Sequence, residues 1–223
     1  MKIALIGGTG DLGEGLALRW GFHAEHEILV GSRSREKASD RAQEYSGKLE
    51  SAGVRGKPKI TAMTNEDATG EGSIVFLCVE ATFAEATLRE LRDHLTPEKI
   101  VVSPAVPMVR KDGAFHYAPP PEGSMAVQLA RLLPGDVPLV SAFHTVPARK
   151  LANLATTIDQ DVVFLADHAE AKQTIMRLAE EITGIHPIDG GKLATSALVE
   201  SITPLLINLA IVNKKKNLAI KFV

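Results

Sequence analysis

The segment "KIALIGGTGDLGEGLALRW", residues 2–20, constrains the fold more than any other part of the chain. Its apolar run ends in glycines and passes at once into a stretch where Leu12, Leu16 and Trp20 recur at helical spacing. An uninterrupted apolar run of this length is what a parallel strand covered on both faces requires. Gly8, Gly10 and Gly13 set the spacing G-x-G-x-x-G between strand and helix, the context in which that pattern carries meaning. The first glycine allows a tight turn, the second lets a pyrophosphate approach the backbone, and the third lets helix and strand pack closely. Amides at the helix start then face phosphate oxygens. Asp11 lies inside this turn, where an anion would repel phosphate, so its side chain is expected to point outward or to cap the helix.

Downstream, strands and helices alternate. "EILVGS" (27–32), "KITAMT" (59–64), "SIVFLCV" (73–79), "KIVVSP" (99–104) and "PLVSAF" (138–143) read as further strands, with "QDVVFLAD" (160–167) a later one. Between them lie a polar helix over 35–53, an amphipathic helix over 82–95 closed by Pro97, and a helix at "MAVQLARLL". Residues 107–123, rich in proline and glycine, read as a loop. A helix follows over 169–184, and residues from 192 onward look helical, with Pro204 breaking or kinking the run. The pattern implies an α/β fold with a doubly wound, mainly parallel sheet.

Composition narrows the function. The 223 residues are 45% hydrophobic and 23% charged with a formal net charge of −2. That balance gives no reason to expect nucleic acid or an anionic membrane as partner. Cys78 is the only cysteine, which excludes an intrachain disulfide or a cysteine-based metal site and fits a reducing, cytoplasmic compartment. The apolar run at 204–212 is well short of the ~20 residues of a membrane helix, and no targeting segment is recognisable, so a soluble protein is expected.

Against this even balance, "LVGSRSREKA" (29–38) is a local concentration of cations at the end of the second strand. In a dinucleotide fold the adenosine ribose lies there, and an acidic residue would accept from both hydroxyls of NAD. Ser32, Arg33, Ser34, Arg35 and Lys37 offer donors and positive charge instead, which suits the 2′-phosphate of NADP. A solvated basic helix start is the competing explanation.

The catalytic inventory is sparse. Tyr45 and Tyr117 are the only tyrosines, and neither is followed by lysine four residues on, so no Ser-Tyr-Lys constellation exists. No H-E-x-x-H metal pattern occurs. His23, His26, His94, His116, His168 and His186 stand in polar or loop-like contexts and read as surface residues. His144, in "VSAFHTVP", sits at the carboxyl end of a strand, where sheets of this class bind ligands, or else is a satisfied core histidine. Pro104 and Pro107 shape a loop on that same edge. The lack of an acid–base pair suits hydride passing directly between two cofactors.

"MKIALIGGTGDLGEGLALRW", "LVGSRSREKA", "KIVVSPAVPMVRK", "VSAFHTVPARKLANL" and the C-terminal "SALVESITPLLINLAI…LAIKFV" together resemble the F420-dependent NADP reductases of methanogenic and related archaea. The resemblance implies reversible hydride transfer between reduced deazaflavin F420 and NADP. It implies a Rossmann-type NADP lobe over 1–150 and a smaller, largely helical part over 151–223 that contributes to the F420 site. It also implies a homodimer or higher homo-oligomer. Thr9, Gly10, Asp11 and Leu12 would line the pyrophosphate, and Ser32, Arg33 and Lys37 the 2′-phosphate. Val79 and Ala142 would flank the nicotinamide, with Ala81 and Phe83 nearby; Glu80 departs from the proline that relatives often carry. Deazaflavin would lie against Val106, Pro107, His144 and Leu218, with no catalytic acid and no metal. Two rivals remain: another small NADPH reductase, acting on an imine or a flavin, and a non-catalytic NADP sensor.

The C-terminal stretch carries Leu198, Val199, Ile202, Leu205, Leu206, Leu209 and Val212, either intrachain core or a subunit interface. Lys214, Lys215 and Lys216 follow as a charge run that faces water or meets the glutamyl tail of F420. The apolar "LAIKFV" is expected to fold back and close the deazaflavin slot.

Overall fold

A computed structural model describes residues 1–22, 25–54 and 58–223. The first lobe runs β1 (Lys2–Ile6), α1 (Asp11–Phe22), β2 (Glu27–Ser32), α2 (Arg35–Ser51), β3 (Ile60–Thr64), α3 (Asn65–Glu71), β4 (Ile74–Leu77), α4 (Ala81–Glu90) and β5 (Ile100–Ser103). It continues with β6 (Met108–Lys111), β7 (Ala114–Tyr117), α5 (Met125–Leu132), β8 (Leu139–Ser141) and α6 (Ala148–Ala152). Last come β9 (Gln160–Phe164), α7 (Ala169–Glu180), β10 (Ile185–Asp189), α8 (Ser196–Glu200) and α9 (Ile202–Val212).

Six strands form one parallel sheet in the order β3-β2-β1-β4-β5-β8. β1 and β4 are central, and their apolar runs are buried on both faces by helices, as expected. Strand order reverses between β1 and β4, and in open sheets ligands bind in the crevice at such a switch. On one face Trp20, Phe76, Phe143 and Phe164 interlock, with Trp20–Phe76 at 5.0 Å and Phe143–Phe164 at 5.7 Å between centroids. The same cluster takes in Leu151, Ile158, Val162 and Ile175, so the chain beyond residue 150 shares the core of the first lobe. Leu88, Leu91, Leu129 and Leu193 belong to the cluster on the opposite face.

The structure departs from the sequence expectations in several places. Residues 108–117, read as loop, form an antiparallel hairpin. Asp112 and Gly113 both have positive φ (51° and 81°), the condition for a type I′ turn, so an Asp-Gly dipeptide outweighs the surrounding prolines. The C-terminal helix breaks at Ser201, while Pro204 sits in the first turn of α9, where its missing N–H costs nothing. His26 is not a surface residue. It is 5% exposed, with Nε2 2.5 Å from Glu181 and Nδ1 3.3 Å from the Met1 amine. His94, His116, His168 and His186 are exposed as expected, and His23 lies outside the described residues. β9 and β10 pair in parallel, and Leu165 bridges back to Ser141 on β8.

Candidate active site

The turn after β1 is shaped by its glycines. The left-handed residue is Gly7 (φ 70°), one position before the expected Gly8. Gly8 is fixed by proximity: its N–H donates to Leu5 and Gly31 carbonyls at 3.0 and 2.9 Å, and a Cβ there would lie 2.6 Å from Leu5 O. A Cβ on Gly13 would fall 2.4 Å from Gly8 Cα, which is the close helix–strand approach its position requires. Gly10 is exposed and has only Gly7 O, at 3.6 Å, near the place of a Cβ, leaving a backbone face open to a ligand. The amides of Asp11, Leu12 and Gly13 precede the first i−4 bond of α1, Glu14 N to Gly10 O at 2.9 Å, and so are the ones a helix start offers to an anion. Thr9 is nearly buried in the turn, and Asp11 points outward, 3.9 Å from Arg149.

Two residues that sequence reasoning missed hold this turn. Asn65 Oδ1 accepts the Gly7 N–H at 3.2 Å, and the buried Tyr45 hydroxyl donates to Gly8 O at 3.1 Å. Burial pushes the Tyr45 phenol well up, so it stays a neutral donor. Tyr45 is legible only as an apolar residue on a polar helix, and Asn65 only once β3 is known to pair with β2, one strand away from β1.

At the end of β2, Ser32 is buried and its Oγ accepts from Ser34 N at 3.2 Å, while Ser34 Oγ caps α2 through Lys37 N at 3.2 Å. Arg33, Arg35 and Lys37 stand exposed, and among the described residues none of them forms an ion pair. With the amino end of the long helix α2 behind them, they create a locally positive site in which Glu36 is the one acid.

A cleft of about 1090 Å³ opens along the carboxyl ends of β1, β4, β5 and β8. One side is built from Gly10, Asp11 and Leu12, and the next from Cys78, Val79, Glu80 and Ala81 after β4. Beyond them come Val106, Pro107 and His144, with Met108 of the hairpin and Thr203 and Ile207 of α9 over the top. Gly10, Asp11, Leu12, Val79, Ala81, Val106, Pro107 and His144, all expected from sequence, therefore line one cleft, whereas Gly8, Thr9, Gly13, Ser32, Arg33 and Lys37 lie outside its lining. Phe83 does not line the cleft; it stands 54% exposed on α4. Ala142 has no exposed surface and belongs to the core cluster beneath the cleft. Within one chain the tail runs beside β9, with Asp161 N donating to Ile220 O at 3.0 Å and Lys221 paired to Asp159 at 2.5 Å, and Leu218 does not line the cleft. A separate groove of about 950 Å³ between α1, α2 and α6 has its central cation, Lys48, spent on Glu14 and Glu44, both at 2.6 Å.

His144 is the one histidine in the cleft. Phe143 takes a left-handed conformation (φ 66°), so its ring turns down into the aromatic cluster and His144 follows toward the cleft. Nε2 lies 3.0 Å from Ser141 Oγ, Thr203 donates to the His144 carbonyl at 2.8 Å, and Nδ1 has no partner among the described residues. Desolvation lowers its pKa to about 4, so the ring is neutral near pH 7. Burial likewise raises the Cys78 thiol to about 12, leaving it an uncharged wall. Glu200, also missed, is fully buried behind the cleft. Its carboxylate accepts from Met125 N and Ala126 N at 3.0 Å and from Tyr117 Oη at 2.8 Å, tying α8 to α5 and to the hairpin. Burial raises its pKa against those hydrogen bonds.

Residues 2–107 match the family described as NADP oxidoreductase coenzyme F420-dependent. The F420-dependent NADP reductase of Methanocaldococcus jannaschii is 37% identical over 99% of this chain and 97% of its own length. That of Methanothermobacter thermautotrophicus is 38% identical over 99% and 94%. A crystal structure from Arthrobacter sp. FB24 shares the fold with a TM-score of 0.82 at 24% identity, covering 100% of this chain and 99% of that one. Near-full-length identity at this level, together with a glycine turn and an apolar slot that share one crevice, places the chain in the family of F420-dependent NADP reductases.

Proposed function

We propose that this protein catalyses reversible, direct hydride transfer between C5 of reduced F420 and C4 of the NADP+ nicotinamide. The observation that carries the reading is a single cleft with two dissimilar halves. One half offers backbone amides and glycines for phosphate; the other is an apolar slot lined by Val106, Pro107 and His144. Deazaflavin has carbon where a flavin has N5 and so supplies hydride chemistry, leaving the protein mainly to orient the two rings. Reacting carbons must come within ~3–3.5 Å, which an apolar slot that excludes water favours.

In this reading Gly8, Thr9, Gly10, Asp11, Leu12 and Gly13 follow the pyrophosphate through their backbone, and Val79 and Ala81 border the nicotinamide. A neutral His144 suits that neighbourhood, since an imidazolium would repel the nicotinium ring. The same property weakens the imine-reductase reading, which needs a proton donor over the substrate: with a pKa near 4 His144 holds little of the acidic imidazolium at neutral pH. We also infer a homo-oligomer that uses the α8–α9 face, where Leu198 (71%), Leu205 (54%) and Val212 (78%) are exposed in the single chain. Thr203 and Ile207 of α9 border the cleft, so a partner there would help to close it.

Two measurements test the assignment. Mixing the protein with NADP+ and reduced F420 should restore the oxidised deazaflavin absorbance as NADPH forms; turnover only with pyrroline-carboxylate or a flavin would contradict it. If Ser32 and Arg33 hold the 2′-phosphate, Arg33→Glu should weaken NADP binding by ~1.5–3 kcal/mol, with a far smaller change for NAD. Equal losses for both in a titration would remove Arg33 from the phosphate site.

A further inference from the structure

Cations collect at one end of the outer wall of the cleft, away from the NADP half. We propose that the tip of the β6–β7 hairpin and the carboxyl end of α9 form a cradle for the anionic arm of the deazaflavin substrate. The inference rests on the function proposed above and names what recognises the part of the substrate outside the ring slot. That part is phosphodiester and carboxylate oxygen, the chemistry that F420 carries beyond its ring.

Register brings the charges together. In the hairpin, Arg110 pairs with Phe115 and Lys111 with Ala114 at the closing end, while Met108 and Ala118 at the open end line the cleft. The C-terminal segment runs beside β7 in the opposite sense, from the open end of the hairpin toward its tip. Glu200 meets Tyr117, and further on Asn208 clamps the backbone of Phe115, accepting from its N–H at 2.8 Å and donating to its carbonyl at 2.7 Å. Lys214 lies beyond Asn208 by roughly 9 Å of helix rise. Lys214, Lys215 and Lys216 thus emerge at the end of the wall that carries Arg110 and Lys111. All five are exposed, and among the described residues none forms an ion pair. Asp112 and His116 are the other titratable groups on the hairpin there.

Both supports are fixed. The hairpin closes through a type I′ turn, and the Arg110 guanidinium lies 5.9 Å from the Phe115 ring centroid. α9 ends in a Schellman arrangement: Lys215 N donates to Ala210 O at 2.9 Å and Lys214 N to Ile211 O at 3.3 Å. Lys214 itself holds φ 51°, a left-handed position that glycine adopts freely and lysine does not. Stability alone would favour glycine there, so the lysine points to a demand for charge.

The test uses the full chain, wild type against Arg110→Gln/Lys111→Gln and Lys214→Gln/Lys215→Gln/Lys216→Gln. KM and kcat are measured at saturating NADP with F420, with its form ending at the phosphate, and with the bare deazaflavin ribityl ring. Each exposed pair contributes a few-fold at most, so the KM for F420 should rise on the order of tenfold at low salt in the variants, with kcat unchanged. KM for the bare ring should stay constant, and the wild-type advantage should shrink at high salt. Loss for the phosphate-ended form assigns the cradle to phosphate; loss for F420 alone assigns it to the carboxylates. Lys214→Gly should hold or raise Tm while still raising the KM for F420, a split that a structural role would not produce. An unchanged KM for F420 in both multiple variants, or an equal rise for the bare ring, overturns the cradle. A wild-type protein that turns over neither deazaflavin would instead refute the function itself.

Discussion

Phe143→Ala should destabilise the protein by about 3–5 kcal/mol, the range for removing a buried aromatic ring, and lower Tm by on the order of 10 °C. The ring is 2% exposed and meets Trp20, Phe76 and Phe164 with centroids 6.1, 5.6 and 5.7 Å away. No single neighbour can fill the space, because each is held by the others. The backbone gives the prediction a second edge. At φ 66° the position is strained for any residue with a Cβ, by roughly 1–2 kcal/mol. Phe143→Gly should therefore be no less stable than Phe143→Ala, although glycine normally costs about 0.5–1 kcal/mol more. Denaturant midpoints for the two variants check this; a glycine variant clearly weaker than the alanine one would mean that the left-handed turn is not strained. Both should raise the KM for F420, because His144 follows directly, while the glycine turn on the other side of the cleft keeps its affinity for NADP.

The second large effect is a loss of stability in acid. The His144 pKa falls from 6.5 to about 4 because burial disfavours the imidazolium. Between those values the unfolded chain binds a proton that the folded chain refuses. Stability contributed by this group is thus complete above pH 6.5, falls as pH drops toward 4, and is gone below it. The full span is on the order of 3 kcal/mol. Other groups titrate in the same range, so the informative quantity is the difference between wild type and His144→Gln at pH values above and below that window. His144→Gln should have the flatter curve. Parallel curves would show that the imidazole is solvated and free to ionise. For the same reason, the pH–rate profile of the wild type should lack a limb near pH 6.5.

The parts of this molecule that follow local rules could be read from sequence. An apolar run before G-x-G-x-x-G fixes a buried parallel strand and a ligand-binding turn within a dozen residues, and the basic end of β2 follows from its place after the next strand. His144 was legible because a strand ended just before it. What escaped depended on contacts between distant segments. Asn65 and Tyr45 brace the turn from two other elements, and neither residue type announces that duty. His26 looked like a surface residue until Glu181, on the far side of the chain, came to lie against it. Glu200 is an acid in an apolar stretch, which reads as a break in pattern; only the fold supplies the two amides and the hydroxyl that justify burying it. Ala142 follows the last residue of β8 and is fully buried, a direction that its small side chain does not announce. The tail was read as apolar and therefore docked, which holds, but its partner in one chain is β9 and not the cleft.

The central claim, direct transfer between two rings in one cleft, is tested most directly by isotope tracing. Reduced F420 carrying deuterium at both C5 positions is mixed with the protein and NADP+ in ordinary water, and the NADPH formed is analysed by mass spectrometry and NMR. Direct transfer predicts one deuterium per NADPH, at nicotinamide C4, and none lost to solvent. NADPH carrying only solvent hydrogen, or forming only when a separate redox carrier is added, would contradict it.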